Sequence, residues 1–136
     1  NAPNSIIITR RMKKIILIIN ILNFYVYQFV AKHKKLFPTY PTDITSEKIV
    51  GLLFTILCFI IFILINKLYP IGFEYIFTFI IPICLLHYYA LTHKNRAKFY
   101  IAFISKRPLK TLIRWGLYIK LFLFSLLLLI LFCIIL

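Results

Sequence analysis

Four apolar runs with almost no charge inside them dictate what this chain can become: Ile15–Ala31, Ile49–Asn66, Tyr75–Thr92 and Trp115–Leu136. A helix that crosses a lipid bilayer needs about 20 mostly apolar residues, within a range of about 17–25. The second, third and fourth runs meet that requirement. The first is interrupted by Asn20, Asn23 and Gln28 and needs a separate argument.

Composition removes the competing classes. The 136 residues are 62% hydrophobic and 15% charged, whereas soluble domains average about 45–50% apolar and about 25% charged. A water-soluble globule is therefore excluded. A disordered chain needs low hydrophobicity, so disorder is excluded as well. In lipid every backbone amide and carbonyl must be satisfied within the protein, and helices do this segment by segment. The expectation is an all-α polytopic membrane protein.

On a helical wheel of the first run, Asn20, Asn23, Tyr27, Lys34 and Lys35 fall within about 120° of one another, with Gln28 at the edge of the arc. An amphipathic segment with Lys at both ends suits the membrane interface, and a fourth spanning helix is the rival. Charge separates the two, because Lys and Arg near helix ends favour the cytoplasmic side or its equivalent. Four basic residues precede the first run (Arg10, Arg11, Lys13, Lys14) and four follow it (Lys32, Lys34, Lys35, Lys48). Lys67 alone separates runs two and three, whereas seven basic residues separate runs three and four. A hairpin of runs two and three with Lys67 outside puts residues 32–48 and 93–114 inside. If the first run lies on the inner surface, 15 of the 17 basic residues are inside. The favoured arrangement is three transmembrane helices plus an N-terminal amphipathic interfacial helix. Its units are a basic segment with a proline-containing linker (1–48), a transmembrane hairpin (49–92), a basic inner loop (93–114) and a C-terminal span (115–136).

The connections carry their own signals. Phe37–Asp43 holds Pro38 and Pro41 and cannot be helical throughout. Thr45-Ser46-Glu47-Lys48 resembles a helix start, with hydroxyls available to cap free amides. Tyr69–Glu74 is expected to form the outer turn, and the loop 93–114 to hold a short helix broken at Pro108. Met12-Lys13-Lys14 before Ile15–Ile19 looks like the first two regions of an export signal, but no small-residue cleavage site follows. It is read as retained, with the natural start near either Asn1 or Met12.

Candidate chemistry is sparse. His87, beside Tyr88 and Tyr89, is an ionisable group inside a membrane segment, a placement that is costly and often functional. Its nearest histidine in sequence, His93, is six positions on and about 240° around a helix, so the two cannot share one ion. Interfacial packing is the favoured reading of His87 over a haem or quinone contact. Lys120 lies five residues beyond Trp115, where its stem can snorkel to the headgroups or meet a partner's carboxylate. The inner-loop cations Lys94, Arg96, Lys98, Lys106, Arg107, Lys110 and Arg114 are expected to bind anionic phospholipid headgroups. Cys58, Cys84 and Cys133 are isolated, with no metal-ligand or disulfide spacing.

No catalytic motif is present, and the only carboxylates are Asp43, Glu47 and Glu74. The expectation is therefore not an enzyme, with no metal, cofactor, soluble substrate or nucleic acid. Ile occurs 27 times against 8 for Ala and Gly together, a bias that an AT-rich genome produces through its codons. Bacterial and mitochondrial inner membranes both fit. The first functional expectation is a non-catalytic accessory or scaffold subunit of a larger membrane complex. The alternatives are a small oligomeric pore-forming protein and a haem- or quinone-contacting anchor using His87.

Overall fold

The computed structural model describes residues 2–38 and 40–135, with side chains from Arg10 onward. Asn1, Thr39 of the proline linker and Leu136 at the expected end of the last span lie outside the described residues. Five helices carry the fold: α1 (Ala2–Lys32), α2 (Thr42–Leu68), α3 (Ile76–His87), α4 (Arg96–Ser105) and α5 (Leu109–Ile135). Short 3₁₀ turns lie at Lys34–Leu36, Phe73–Tyr75 and His93–Asn95, and one wide π turn, Tyr88–Thr92, follows α3. No strand occurs among the described residues. Four stretches are long and apolar enough to cross a membrane: Arg10–Lys32, Thr42–Leu68, Phe73–Ser105 and Leu109–Ile135. By length and composition these are the helices of a membrane protein.

Local chemistry sets the boundaries. Pro41 sits at φ −54°, ψ 150° and leads directly into α2, one turn earlier than the hydroxyl-rich run suggested. The expected cap is reversed in sense. Thr45 Oγ1 donates to the Pro41 carbonyl at 3.1 Å and Ser46 Oγ to the Asp43 carbonyl at 2.9 Å, so both bond backwards along the helix instead of accepting from amides. At the hairpin turn Asn66 Oδ1 accepts from the Ile71 amide at 2.8 Å and closes the end of α2. Pro108 divides α4 from α5, as its missing amide requires, and its carbonyl accepts from Leu112 in the first turn of α5. Lys94 and Asn95 both take left-handed conformations, with φ 54°. Two such residues in succession end the helical path and redirect the chain into α4.

Burial is very uneven. Half of the apolar stretch of α1 is buried, against 6% of that of α5. Asn20, Ile21, Leu22, Asn23 and Phe24 are all buried, and five consecutive residues cover every direction around a helix. The middle of α1 is thus enclosed by protein on all sides. On one flank Ile16, Ile19, Leu22, Val26 and Val30 share a core with Val50, Ala90, Leu91 and Ala97. On another, Ile21 and Phe24 pack with Ile104 against Leu112 and Trp115. The expectation of a polar arc facing headgroups is therefore corrected for Asn20 and Asn23. Both point into the protein, whereas Gln28 at the edge of the arc is exposed, as are the large apolar Ile15, Ile18 and Phe29.

These cores gather at one end of the molecule. They take α2 from its first half (Ile49, Val50, Leu53, Phe54) and α5 from its first half (Leu112 to Phe122). The Lys98–Asp43 ion pair, at 3.6 Å, ties α4 to the first turn of α2 at this basic end. At the opposite, hairpin end, Phe62 packs against Phe73 and Phe79, and among the described side chains none from α1 joins that aromatic group.

Along α5 the less exposed positions are Leu112, Trp115, Ile119, Phe122, Leu126, Ile130 and Cys133, joined in the first turns by Thr111 and Gly116. Spacings of three and four residues link them into a single helical stripe. The helix is attached along that seam and is bare elsewhere.

Candidate functional site

The basic end holds nearly all the polar chemistry of the chain, and glycines and alanines decide how closely its helices approach. A Cβ on Gly51 would lie 3.2 Å from His87 Nε2, and one on Gly116 would lie 3.1 Å from the Tyr25 ring. Ala90 and Ala97 are fully buried where the π turn and α4 meet the core shared with α1. Close helix packing in lipid relies on such small residues. The chain has few of them, and these four all stand at this end.

His87 uses the space at Gly51. Its Nε2 donates to the Glu47 carbonyl at 2.8 Å, and its ring meets Phe54 edge-on with centroids 6.3 Å apart. The histidine ties the end of α3 to the start of α2, and its Nε2 is engaged. His93 faces elsewhere, stacked on Tyr89 with ring centroids 5.5 Å apart. The two histidines are not brought together, and no group of three potential metal-ligating side chains exists among the described residues.

The buried asparagines form a polar centre that the sequence reading placed outside. Asn20 Nδ2 donates to the Ile16 carbonyl at 2.8 Å and to the Ala90 carbonyl at 3.0 Å. The second acceptor lies in the π turn, where the widened ladder frees carbonyls for outside donors. Asn20 Oδ1 and both polar atoms of the Asn23 amide have no partner. Tyr25 supplies a third link, its hydroxyl donating to the Leu112 carbonyl beside Gly116. The only sequence signal for this centre is a pair of amides three residues apart within an apolar helix.

The seven loop cations take different roles. Lys98 pairs with Asp43. Arg107 lies 4.3 Å over the Phe103 ring and Arg96 lies 4.2 Å over the Tyr89 ring, geometries in which the ring's negative face attracts the cation. Lys94 is exposed at its left-handed position, and Lys106, Lys110 and Arg114 are exposed around the α4–α5 turn. They do not converge on a single point.

What does converge is a groove of about 330 Å³ between the Met12–Ile16 stretch of α1 and the π turn with α4. Lys13 and Arg96 stand on it, with Ile16, Tyr89, Phe99 and Tyr100. Lys13 belongs to the N-terminal basic cluster, so the fold joins two charge groups that lie 83 residues apart in sequence.

Lys120 is exposed on α5, outside the seam, among the exposed Leu117, Leu121 and Phe124. No carboxylate of this chain reaches it among the described residues; Lys98–Asp43 is the ion pair found there.

Comparison with protein-family models, with curated proteins and with solved structures finds no match to this chain.

Proposed function

We propose that this chain is a non-catalytic accessory or scaffold subunit of a larger complex in a bacterial or mitochondrial inner membrane. Three helical stretches cross the bilayer, α2, α3 together with its flanking turns (residues 73–92) and α5, and α1 is wedged among their basic ends. Support for that placement comes from Ile16, which borders the same groove as Arg96. Two residues beyond Arg96, Lys98 reaches Asp43 in the first turn of α2. The N-terminal half of α1 thus keeps the company of the basic end, as does its C-terminal half.

The observation that carries the subunit reading is α5. It is held to the rest of the chain along one stripe, and the remainder of its apolar surface is bare. Lipid covers such a surface without difficulty, and the Lys120 stem can reach the headgroups from it, but a charge standing on a bare helical face also suits a partner. A charged side chain within a span costs about 2.5–3.5 kcal/mol at mid-membrane, and less near the interface. A partner's carboxylate or hydrogen-bond acceptor removes that cost and makes the outer face of α5 a recognition surface. This reading implies no cofactor, soluble substrate or nucleic acid.

Native electrophoresis of membranes solubilised in mild detergent tests it directly. The chain is expected in an assembly far larger than 16.2 kDa, with the same co-migrating proteins in each preparation. Lys120→Leu is expected to release it, whereas Lys120→Arg, which keeps the charge, retains it. A monodisperse monomer without co-migrating proteins overturns the proposal.

A further inference from the structure

The groove between α1 and α4 combines features that a diffuse positive surface does not need. Two cations from different parts of the chain, Lys13 and Arg96, stand on one concave surface of about 330 Å³, and no carboxylate lines it. The Arg96 guanidinium carbon lies over the Tyr89 ring, 4.2 Å from its centroid, and Tyr89 is itself stacked on His93. A guanidinium seated against a ring is placed by it, and its N–H groups suit the oxygens of a phosphate. The rest of the wall, besides Tyr89, is apolar or aromatic: Met12, Ile16, Phe99 and Tyr100. Phe99 is 65% exposed and stacks in parallel with Phe103, whose ring in turn carries Arg107. Cations and bare aromatic rings alternate along this face of α4, as they do at the boundary between headgroups and acyl chains.

We propose that this groove is a specific site for one anionic phospholipid, with its phosphodiester between Lys13 and Arg96 and the first carbons of an acyl chain along Ile16 and Phe99. A free phosphate ion accounts for the two cations but has no use for the apolar wall. A zwitterionic lipid fits the wall but brings a cation into a site that already holds two. An anionic diacyl lipid satisfies both halves. The proposal rests on the reading of this chain as a membrane protein, but not on its being a subunit.

The test uses native membranes supplemented with phosphatidylglycerol or phosphatidylcholine carrying a photoreactive group near the head of one acyl chain. After illumination, adducts are mapped by mass spectrometry of the digested protein. Phosphatidylglycerol is expected to label residues 12–16 and 99–103 at least threefold more than phosphatidylcholine. Arg96→Gln and Lys13→Gln should each reduce that labelling at least fivefold. Lys110→Gln removes the same charge from the same end but away from the groove, and should change it by less than twofold. Excess inorganic phosphate should leave the labelling unchanged.

Equal labelling by the two lipids overturns the proposal, as does a Lys110→Gln loss equal to that of Arg96→Gln, since either result reduces the groove to general electrostatics. Abolition of labelling by inorganic phosphate overturns it in favour of a phosphate-ion site. None of these outcomes depends on co-migration of partner proteins.

Discussion

Asn20 and Asn23 lie three residues apart on α1, both hidden from solvent, yet only Asn20 is bonded. An interhelical hydrogen bond in a membrane protein contributes about 0.6 kcal/mol on average and up to about 1.7, whereas a buried unpaired polar group costs about 1–3 kcal/mol. The two residues should therefore respond differently to the same change. Asn20→Ala is expected to lower the melting stability of the solubilised protein by about 1 kcal/mol, because the tie to the π turn is lost. Asn23→Ala removes an unsatisfied amide at the cost of a small void and should be neutral or stabilising. Melting curves of both variants decide the matter, and a larger loss from Asn23→Ala would show that its amide is engaged after all. Gly51 gives a second residue-level prediction. Alanine is favoured over glycine inside a helix by about 1 kcal/mol, but here the new Cβ would press on His87 at 3.2 Å. Gly51→Ala should bring no gain in the wild-type chain and a gain of about 1 kcal/mol in a His87→Ala background. A double-mutant cycle measures that coupling, and additive effects would contradict the contact.

Among the elements, α5 and the hairpin allow the sharpest tests. The α5 seam implies that substitution effects follow position and not residue type. Leu126 is 5% exposed and Leu128 is 50% exposed. Leu126→Ala should cost about 2 kcal/mol by opening a cavity, and Leu128→Ala should cost only a small fraction of that; equal losses measured by thermal melting would refute the seam. The hairpin of α2 and α3 carries the orientation argument. With Cys58, Cys84 and Cys133 replaced, Gly72→Cys should react with an impermeant maleimide from outside, and Arg107→Cys only from inside. Gly72 tolerates the change, because a side chain there meets only the flexible end of Glu74. Reversed labelling would overturn the assignment made from charge. The π turn shows how an element can depend on its surroundings. Tyr88–Thr92 widens within an otherwise apolar helical run, and its Ala90 carbonyl is taken by Asn20, a residue 70 positions earlier.

At the scale of the whole molecule, the chain is well knit at one end and loosely packed at the other. The basic end has interlocking cores, an ion pair, and side-chain bonds that link α1, α2, α3 and the start of α5. The hairpin end relies on a few aromatic contacts and the second half of the α5 seam. Apolar side chains gain nothing from leaving lipid for one another, so the packing of helices in a bilayer depends on close fit and polar links. Both are concentrated at the basic end. Expressed without its native partners, the chain should therefore be degraded more rapidly than in its own membrane, with early cleavage near the hairpin turn around Tyr69–Gly72. Pulse-chase measurement in the two settings checks this, and equal lifetimes would count against it.

The apolar runs and the placement of proline were sufficient to set an all-helical chain, the turn between α2 and α3, the short helix α4 and the break at Pro108. Each of these follows from local rules, because a peptide group in lipid must bond within its own helix and proline cannot continue one. What α1 faces was beyond local rules. A wheel shows that Asn20, Asn23 and Tyr27 share an arc, but the same arc suits headgroups or a protein interior. The fold decided the case by wrapping α2, the π turn, α4 and the start of α5 around Asn20–Phe24. The Glu47 carbonyl that His87 meets was not legible, since every residue offers a carbonyl. The groove was hidden for a related reason. Lys13 and Arg96 belong to separate basic stretches of the sequence, and only the docking of α4 against α1 places both charges on one surface.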